Sequence, residues 1–149
     1  MPANFDILGK AEKLELLAAE LYGALADHFG DDEAAAKLFT RLRDEEQQHA
    51  VRFRMVAAQA GRDTKLLAKI TADGGAMDEV AREMGVMLAN VRRGDWRADV
   101  KQTKRLLLDL EERCSRAHAQ GILGLNDSLR RFFEQLALQD KAHEELLRE

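Results

Sequence analysis

A glutamate and a histidine lie three residues apart in the segment FTRLRDEEQQHAVRF (39–53), among apolar neighbours. Wound as a helix, the segment and its continuation place both on one stripe with alternating spacings of three and four. The stripe is Phe39, Leu42, Glu46, His49, Phe53 and Val56. Apolar residues on such a stripe face a core, so Glu46 and His49 are predicted to be buried. Residues three apart on a helix lie about 5–6 Å apart at Cβ, and both side chains can therefore reach one metal ion.

The same pattern recurs near the end of the sequence. FTRLRDEEQQH (39–49) aligns without gaps on FEQLALQDKAH (133–143). Upstream, LELLAAELY (14–22) aligns on LEERCSRAH (110–118), with an offset that differs by two residues, which the loop before the last helix can absorb. The sequence is therefore predicted to contain two copies of one helical hairpin. The matched pairs are Glu46 with Asp140, His49 with His143, Glu15 with Glu111, and Tyr22 with His118.

Two hairpins of this kind supply four inward carboxylates and two imidazoles, the ligand set of a dinuclear carboxylate-bridged site. Oxygen donors and neutral imidazole suit iron or manganese and tolerate zinc. Each charge moved out of water costs several kcal/mol, and four acids with two imidazolium partners would leave negative charge in the core. Two divalent cations would neutralise it, whereas two separate acid–histidine pairs are the alternative. The predicted metal ligands are Glu15, Glu46, His49, Glu111, Asp140 and His143.

Several neighbouring acids compete with these ligands. Glu20 lies on a more polar stripe than Glu15 and is predicted to be solvated. Glu112 also has a plausible apolar stripe, so the choice between Glu111 and Glu112 stays open. Two further acids are predicted on exposed charged faces: Glu45 and Glu144.

Two polar residues on the inner stripes are candidates for a supporting role. Tyr22 can donate a hydrogen bond to a ligand carboxylate, or satisfy its hydroxyl locally. His118 can act as a further ligand, as a hydrogen-bond donor to a ligand, or as an ordinary core histidine. Cys114 is predicted to be a small core residue that peroxide could oxidise, because it lies one turn from Glu111.

The spacing of apolar residues predicts the helices that position these side chains. Asp31 or Asp32 can cap the second helix, and Asn126 or Asp127 can cap the last. An amphipathic helix follows the Gly74-Gly75 break in the long central connection. Along the chain, the connections between the four long helices are short, long and short. This connectivity is that of a ferritin-like four-helix bundle whose long crossover contains an additional helix. The four long predicted helices are 5–29, 32–60, 97–120 and 127–147.

Composition agrees with an all-α, single domain over residues 1–149, since the only proline is Pro2 and aromatic residues make up 5%. A net charge of −4 with interspersed signs argues against a nucleic-acid partner, and no apolar run suits a membrane span. The start, MPANFDILGK, lacks the features of a signal peptide, and Cys114 is the only cysteine. We therefore expect a cytoplasmic protein.

The segments LELLAAELYGALADHF and LFTRLRDEEQQH resemble the rubrerythrin branch of the ferritin-like superfamily. In that family a Glu precedes a Tyr by seven residues on the first helix, and an ExxH motif follows on the second. The resemblance implies a non-haem di-iron centre that reacts with peroxide or dioxygen. It carries over best to Glu15, Glu46 and His49, and acceptably to Glu111 and His143.

The sequence also departs from the family pattern. Asp140 replaces a Glu, His118 replaces an aromatic residue, and no rubredoxin domain follows, since a CxxC site needs two cysteines. We expect an oxidoreductase with two iron ions that reduces peroxide in oxidative-stress defence, with an unidentified electron donor. The alternatives are a ferroxidase that handles iron, and a structural bundle with a redox-inert metal. A homodimer with the crossover helix at its interface is also expected.

Overall fold

A computed structural model describes residues 3–60, 74–119 and 127–149, and within these ranges the regular structure is entirely helical. The predicted long helices and the crossover helix are confirmed, with ends that differ from the prediction by at most three residues. The five helices are α1 (Ala3–His28), α2 (Glu33–Ala60), α3 (Gly74–Arg92), α4 (Val100–Ala119) and α5 (Asp127–Arg148).

Side-chain caps explain where two helices begin. The backbone N–H of Ala35 donates to Oδ1 of Asp32 at 3.1 Å, so Asp32 rather than Asp31 caps α2. The prediction started the fourth helix at residue 97, but Asp99 and Gln102 form a reciprocal capping box that starts it later: each side chain accepts the other's backbone N–H, at 2.8 and 3.2 Å. Of the two predicted caps of α5, Asn126 lies outside the described residues, and so does the side chain of Asp127.

The crossover helix ends in a Schellman motif at Gly94, whose φ of 76° is a left-handed conformation that suits glycine. The N–H of Asp95 donates to the carbonyl of Asn90 at 2.9 Å, and the N–H of Gly94 donates to that of Val91 at 3.1 Å. The chain then turns into α4, where the Trp96 indole N–H donates to the Thr103 hydroxyl at 2.9 Å.

The five helices pack as a bundle consistent with a ferritin-like fold. Helix α1 packs along α2 as the first hairpin and α4 along α5 as the second, while α2 also contacts α5. The crossover helix α3 packs against α1 and α4, one helix from each hairpin. Its apolar stripe is buried in the same core as theirs: Met77, Val80, Met84, Met87, Leu88 and Val91. Within the described residues, no helix has both the length and the apolar character of a membrane span.

Candidate metal centre

All six predicted ligands are buried, with at most 4% of any of them exposed. They come from four helices: α1 contributes one carboxylate, α4 contributes another, and α2 and α5 each contribute a carboxylate and a histidine. Apolar residues lie on the same stripes above and below them, such as Phe39 and Phe53 on α2 and Leu136 and Leu147 on α5. The helical periodicity that buries these neighbours therefore also buries the polar residues between them.

One cluster of side chains joins α1 to α2. Nδ1 of His49 lies 3.5 Å from Oε1 of Glu46 and 3.7 Å from Oε2 of Glu15. One ligand atom from each of the three residues lies within 4.8 Å of the other two. We call this set cluster 1.

A second cluster joins α2 to the second hairpin. Nδ1 of His143 lies 2.9 Å from the same Oε1 of Glu46 and 3.6 Å from Oε1 of Glu111. These three residues, which we call cluster 2, also offer ligand atoms within 4.8 Å of one another. Glu46 therefore belongs to both clusters, and the rings of His49 and His143 stack beside it with centroids 5.3 Å apart.

Asp140 is as buried as the other candidate ligands, but neither cluster includes it. It stands three residues before His143 on α5, as Glu46 stands before His49 on α2. An aspartate is one methylene shorter than a glutamate, so its oxygens have less reach from the same position on the helix. Glu46 and Asp140 therefore correspond in sequence, but only Glu46 belongs to a cluster.

Three atoms at the centre of the site indicate that it is built for a cation. Oε1 of Glu46 and Nδ1 of both histidines are buried without a hydrogen-bond partner among the described residues, although they approach one another within 2.9–3.5 Å. These approaches lack hydrogen-bond geometry. Ligands about 2.1 Å from one ion lie roughly 3.0–3.4 Å from each other. Buried polar atoms are rarely left unpaired, so the residues fit a metal pair.

The charges of the site also indicate that it is built for a cation. Burial alone would lower the pKa of His49, but the carboxylates of Glu15 and Glu46 outweigh it and raise that pKa to about 10. Burial is likewise outweighed at His143, where Glu111 and Glu46 raise the pKa to about 11. Without metal, both imidazoles therefore bind protons at neutral pH. Protonated imidazoles replace only part of the positive charge that four buried carboxylates call for.

The pKa of Glu46 reflects a balance between the core and its partners. Burial raises this pKa most, and the negative charge of Glu111 raises it further, whereas the close approach of Glu15, His143 and His49 lowers it, and the net direction is downward. Glu46 is thus held as a carboxylate, the form that coordinates a metal ion.

Tyr22 supports the second cluster from the first hairpin. Its hydroxyl donates to Oε1 of Glu111 at 2.6 Å, and its ring stacks on Phe39 with centroids 6.3 Å apart. Burial, together with the charges of Glu111 and Glu46, raises the pKa of Tyr22 well above its usual value, so the phenol keeps its proton. The side chain of His118, its counterpart in the second hairpin, lies outside the described residues.

Cys114 lies on the site's stripe and is buried. Burial, with further contributions from the carboxylates of Glu111, Glu15 and others, raises the pKa of its thiol well above the usual value. The sulfur is therefore held as a thiol, which is a poorer ligand and nucleophile than a thiolate.

The competing acids lie elsewhere. Glu20 is exposed and accepts a hydrogen bond from Nη2 of Arg92 on α3 at 3.2 Å. Glu112 points away from the clusters toward α5, where Nη2 of Arg148 donates to it at 3.1 Å. The structure thus buries Glu15 and Glu111 and leaves both rivals in surface ion pairs.

The prediction that Glu45 and Glu144 lie on exposed faces is wrong, since both are partly buried. Burial and the nearby Glu112 raise the pKa of Glu144. Glu45 contacts the site: its Oε2 lies 2.5 Å from Nε2 of His143 on α5. No local signal on α2 could have revealed this contact, because it depends on how α2 and α5 are rotated against each other.

The comparison with protein families agrees with this geometry. The family model described as Rubrerythrin matches residues 6–149, which is nearly the whole chain. No rubredoxin domain is detected in the chain. No curated protein and no solved structure matches it.

Proposed function

Because the chain belongs to the rubrerythrin family, we propose that it is a di-iron oxidoreductase that reduces peroxide. Glu15, Glu46 and His49 would hold one ion, and Glu46, Glu111 and His143 would hold the other. Asp140, which is also buried, would add a fourth carboxylate whose negative charge helps to balance the positive charge of the two ions. Carboxylate and imidazole donors suit iron and also admit manganese or zinc.

The observation that carries the proposal is the unpaired state of Glu46 Oε1 between the two histidine Nδ1 atoms. An acid–histidine pair that serves only to fill a core is expected to direct its N–H at its carboxylate. Here both rings offer nitrogen to a common oxygen without a hydrogen bond. That arrangement supports metal coordination over two independent ion pairs.

When bound, two ferrous ions would supply the two electrons that reduce one peroxide, with two protons, to two waters. The chain's own residues provide the setting for this chemistry. Burial of the ligands limits the entry of water, and Tyr22 fixes the orientation of Glu111 through a hydroxyl that stays protonated. A separate electron donor must then restore the reduced state.

The test is stopped-flow oxidation of the diferrous protein by H₂O₂ and by O₂ at equal concentration. We expect oxidation by H₂O₂ to be much faster, with iron retained over repeated cycles. A control without iron, loaded with zinc, should show no absorbance change with either oxidant. Faster oxidation by O₂, with ferric iron released in each cycle, would contradict the peroxidase proposal.

A second candidate function, ferroxidase activity, is favoured by the position of Asp140 outside both clusters. A shorter carboxylate has less reach to hold an ion, and a loosely held ion suits a reaction whose product must leave. Asp140→Glu distinguishes the two functions. If ferroxidase turnover depends on loose binding, this variant should retain iron better and release it more slowly. Iron retention that is the same in both proteins supports the peroxidase proposal.

A third candidate is a structural bundle with a redox-inert metal. It predicts that the purified protein contains zinc and that its absorption spectrum does not respond to peroxide. The same purified sample therefore decides between this candidate and the two redox functions.

A further inference from the structure

The contact between Glu45 and His143 crosses from one hairpin to the other. Oε2 of Glu45 lies 2.5 Å from Nε2 of His143. His143 is almost completely buried, whereas 32% of the Glu45 side chain is exposed. The other carboxylate oxygen of Glu45 accepts a hydrogen bond from Nε of Arg41, one helical turn earlier, at 3.2 Å. One carboxylate oxygen of Glu45 therefore contacts His143, and the other contacts Arg41.

This contact determines which ring nitrogen of His143 keeps its proton when the ring is neutral. A carboxylate can only accept hydrogen bonds, so the 2.5 Å contact requires a proton on Nε2. In the neutral imidazole that binds a metal, Nδ1 then has the free lone pair. Nδ1 is the atom that faces Glu46 and Glu111, at 2.9 and 3.6 Å.

We propose that Glu45 is a positioning residue for the metal centre: it fixes the orientation and the tautomer of His143, so that Nδ1 is the ligand in cluster 2. Metal-binding histidines commonly donate their other N–H to a carboxylate, which also makes the imidazole a better donor. The inference rests on the metal centre of the proposed function, but not on its peroxide chemistry.

The second hairpin has no carboxylate at the corresponding position. Gln139 precedes Asp140 as Glu45 precedes Glu46, and its Oε1 accepts a hydrogen bond from Nη1 of Arg52 at 2.8 Å. Because Gln139 is neutral, it cannot make an imidazole a better metal ligand as a carboxylate does. The internal repeat is therefore broken at this position, and the effect of Glu45 should be confined to one of the two ions.

The binding experiment is a zinc titration of the full-length apo-protein against a chromophoric chelator, for the wild type, Glu45→Ala and Glu45→Gln. We expect Glu45→Ala to weaken one of the two zinc sites about 10–100-fold. Glu45→Gln keeps an acceptor without charge and should give a smaller loss. Asp44→Asn is the matched control, because Asp44 is the adjacent acid on α2 and pairs on the surface with Arg43; its affinities should equal those of the wild type.

A spectroscopic measurement on the wild type tests the tautomer directly. In the zinc-loaded, ¹⁵N-histidine-labelled protein, two-bond ¹H–¹⁵N correlations should show His143 protonated at Nε2 and metal-bound at Nδ1. A metal-bound Nε2 would overturn the proposal, and so would a Glu45→Ala variant with both zinc affinities unchanged. If the wild type binds no zinc and no iron, the metal centre itself is refuted. Two bound ions with unaltered affinities in the Glu45 variants refute only the role of Glu45.

Discussion

Oε1 of Glu46 lies 2.9 Å from Nδ1 of His143, although the two residues belong to different hairpins. The same oxygen lies 3.5 Å from Nδ1 of His49, its neighbour on α2. One carboxylate oxygen thus stands between the two histidines of the internal repeat. The position gives Glu46 a different role from the other acids, since it is the residue that both clusters share.

The first prediction follows from this shared position. Glu46→Ala should remove a ligand from both ions, whereas Glu111→Ala should remove one from cluster 2 alone. We expect Glu46→Ala to lower the affinity for both zinc ions by more than about 100-fold, beyond the loss typical of an outer-shell change. Glu111→Ala should weaken mainly one. The measurement is zinc titration against a competing chelator.

The control for this prediction is Glu20→Ala, which removes an exposed acid paired with Arg92. It should leave both affinities unchanged. If Glu20→Ala removes metal while Glu15→Ala does not, then α1 turns the face of Glu20, and not that of Glu15, toward the metal centre.

The second prediction concerns pH and the apo-protein. The folded-state pKa values of His49 and His143, about 10 and about 11, exceed the ordinary value of 6.5. Their contribution to stability is complete below about pH 6.5 and is lost as the pH rises through 10–11. We expect the melting temperature of the apo-protein to fall by at least about 5 °C between pH 7 and pH 11.

The zinc-loaded protein is the control for this pH dependence, because it contains the same lysines and tyrosine while its histidines are already neutral. Its melting temperature should fall less over the same range. Equal declines in the two forms would show that the histidines are not protonated in the apo-protein at neutral pH.

The third prediction concerns Tyr22. Tyr22→Phe removes the donor to Oε1 of Glu111 and leaves a buried carboxylate oxygen with one partner fewer. We expect the apo-protein to lose about 1–3 kcal/mol in its free energy of unfolding. Chemical denaturation measures this loss. A smaller loss is expected in the zinc-loaded protein, where Glu111 has the ion as a partner, and equal losses would argue against Glu111 as a ligand.

The fourth prediction concerns the crossover helix. Gly94 has a φ of 76°, where an L-residue is strained, so Gly94→Ala should destabilise the protein by about 1–2 kcal/mol. Gly85, in the interior of the same helix, has open space where a Cβ would stand. Gly85→Ala should therefore stabilise by about 0.5–1 kcal/mol. Denaturation of both variants checks the pair, and effects of the same sign would contradict the described end of α3.

Helical periodicity was sufficient to predict much of this fold. It placed Glu46 and His49 between Phe39 and Phe53 on one stripe, and the structure buries all four. It also separated Glu15 from Glu20, because the stripe of Glu20 is polar. These inferences succeed because a helix's buried face depends on the spacing of its own apolar residues.

What the sequence could not predict is the contact between helices. Glu45 lies next to Glu46 on α2, and nothing in its own neighbourhood indicates a partner on α5. The contact with His143 depends on the rotation and the axial shift of one helix against the other, which periodicity does not specify. For the same reason, the sequence matched Asp140 with Glu46 but could not show that only Glu46 would join both clusters.

The most direct test of the metal centre is the metal content of protein purified without added metal and without chelator, measured by mass spectrometry together with the absorption spectrum. We expect about two metal ions per chain, because two clusters share Glu46. We also expect the ions to be iron and H₂O₂ to change the spectrum of the reduced protein. A metal content near zero, which also stays near zero after incubation with ferrous iron or zinc, would contradict the metal centre.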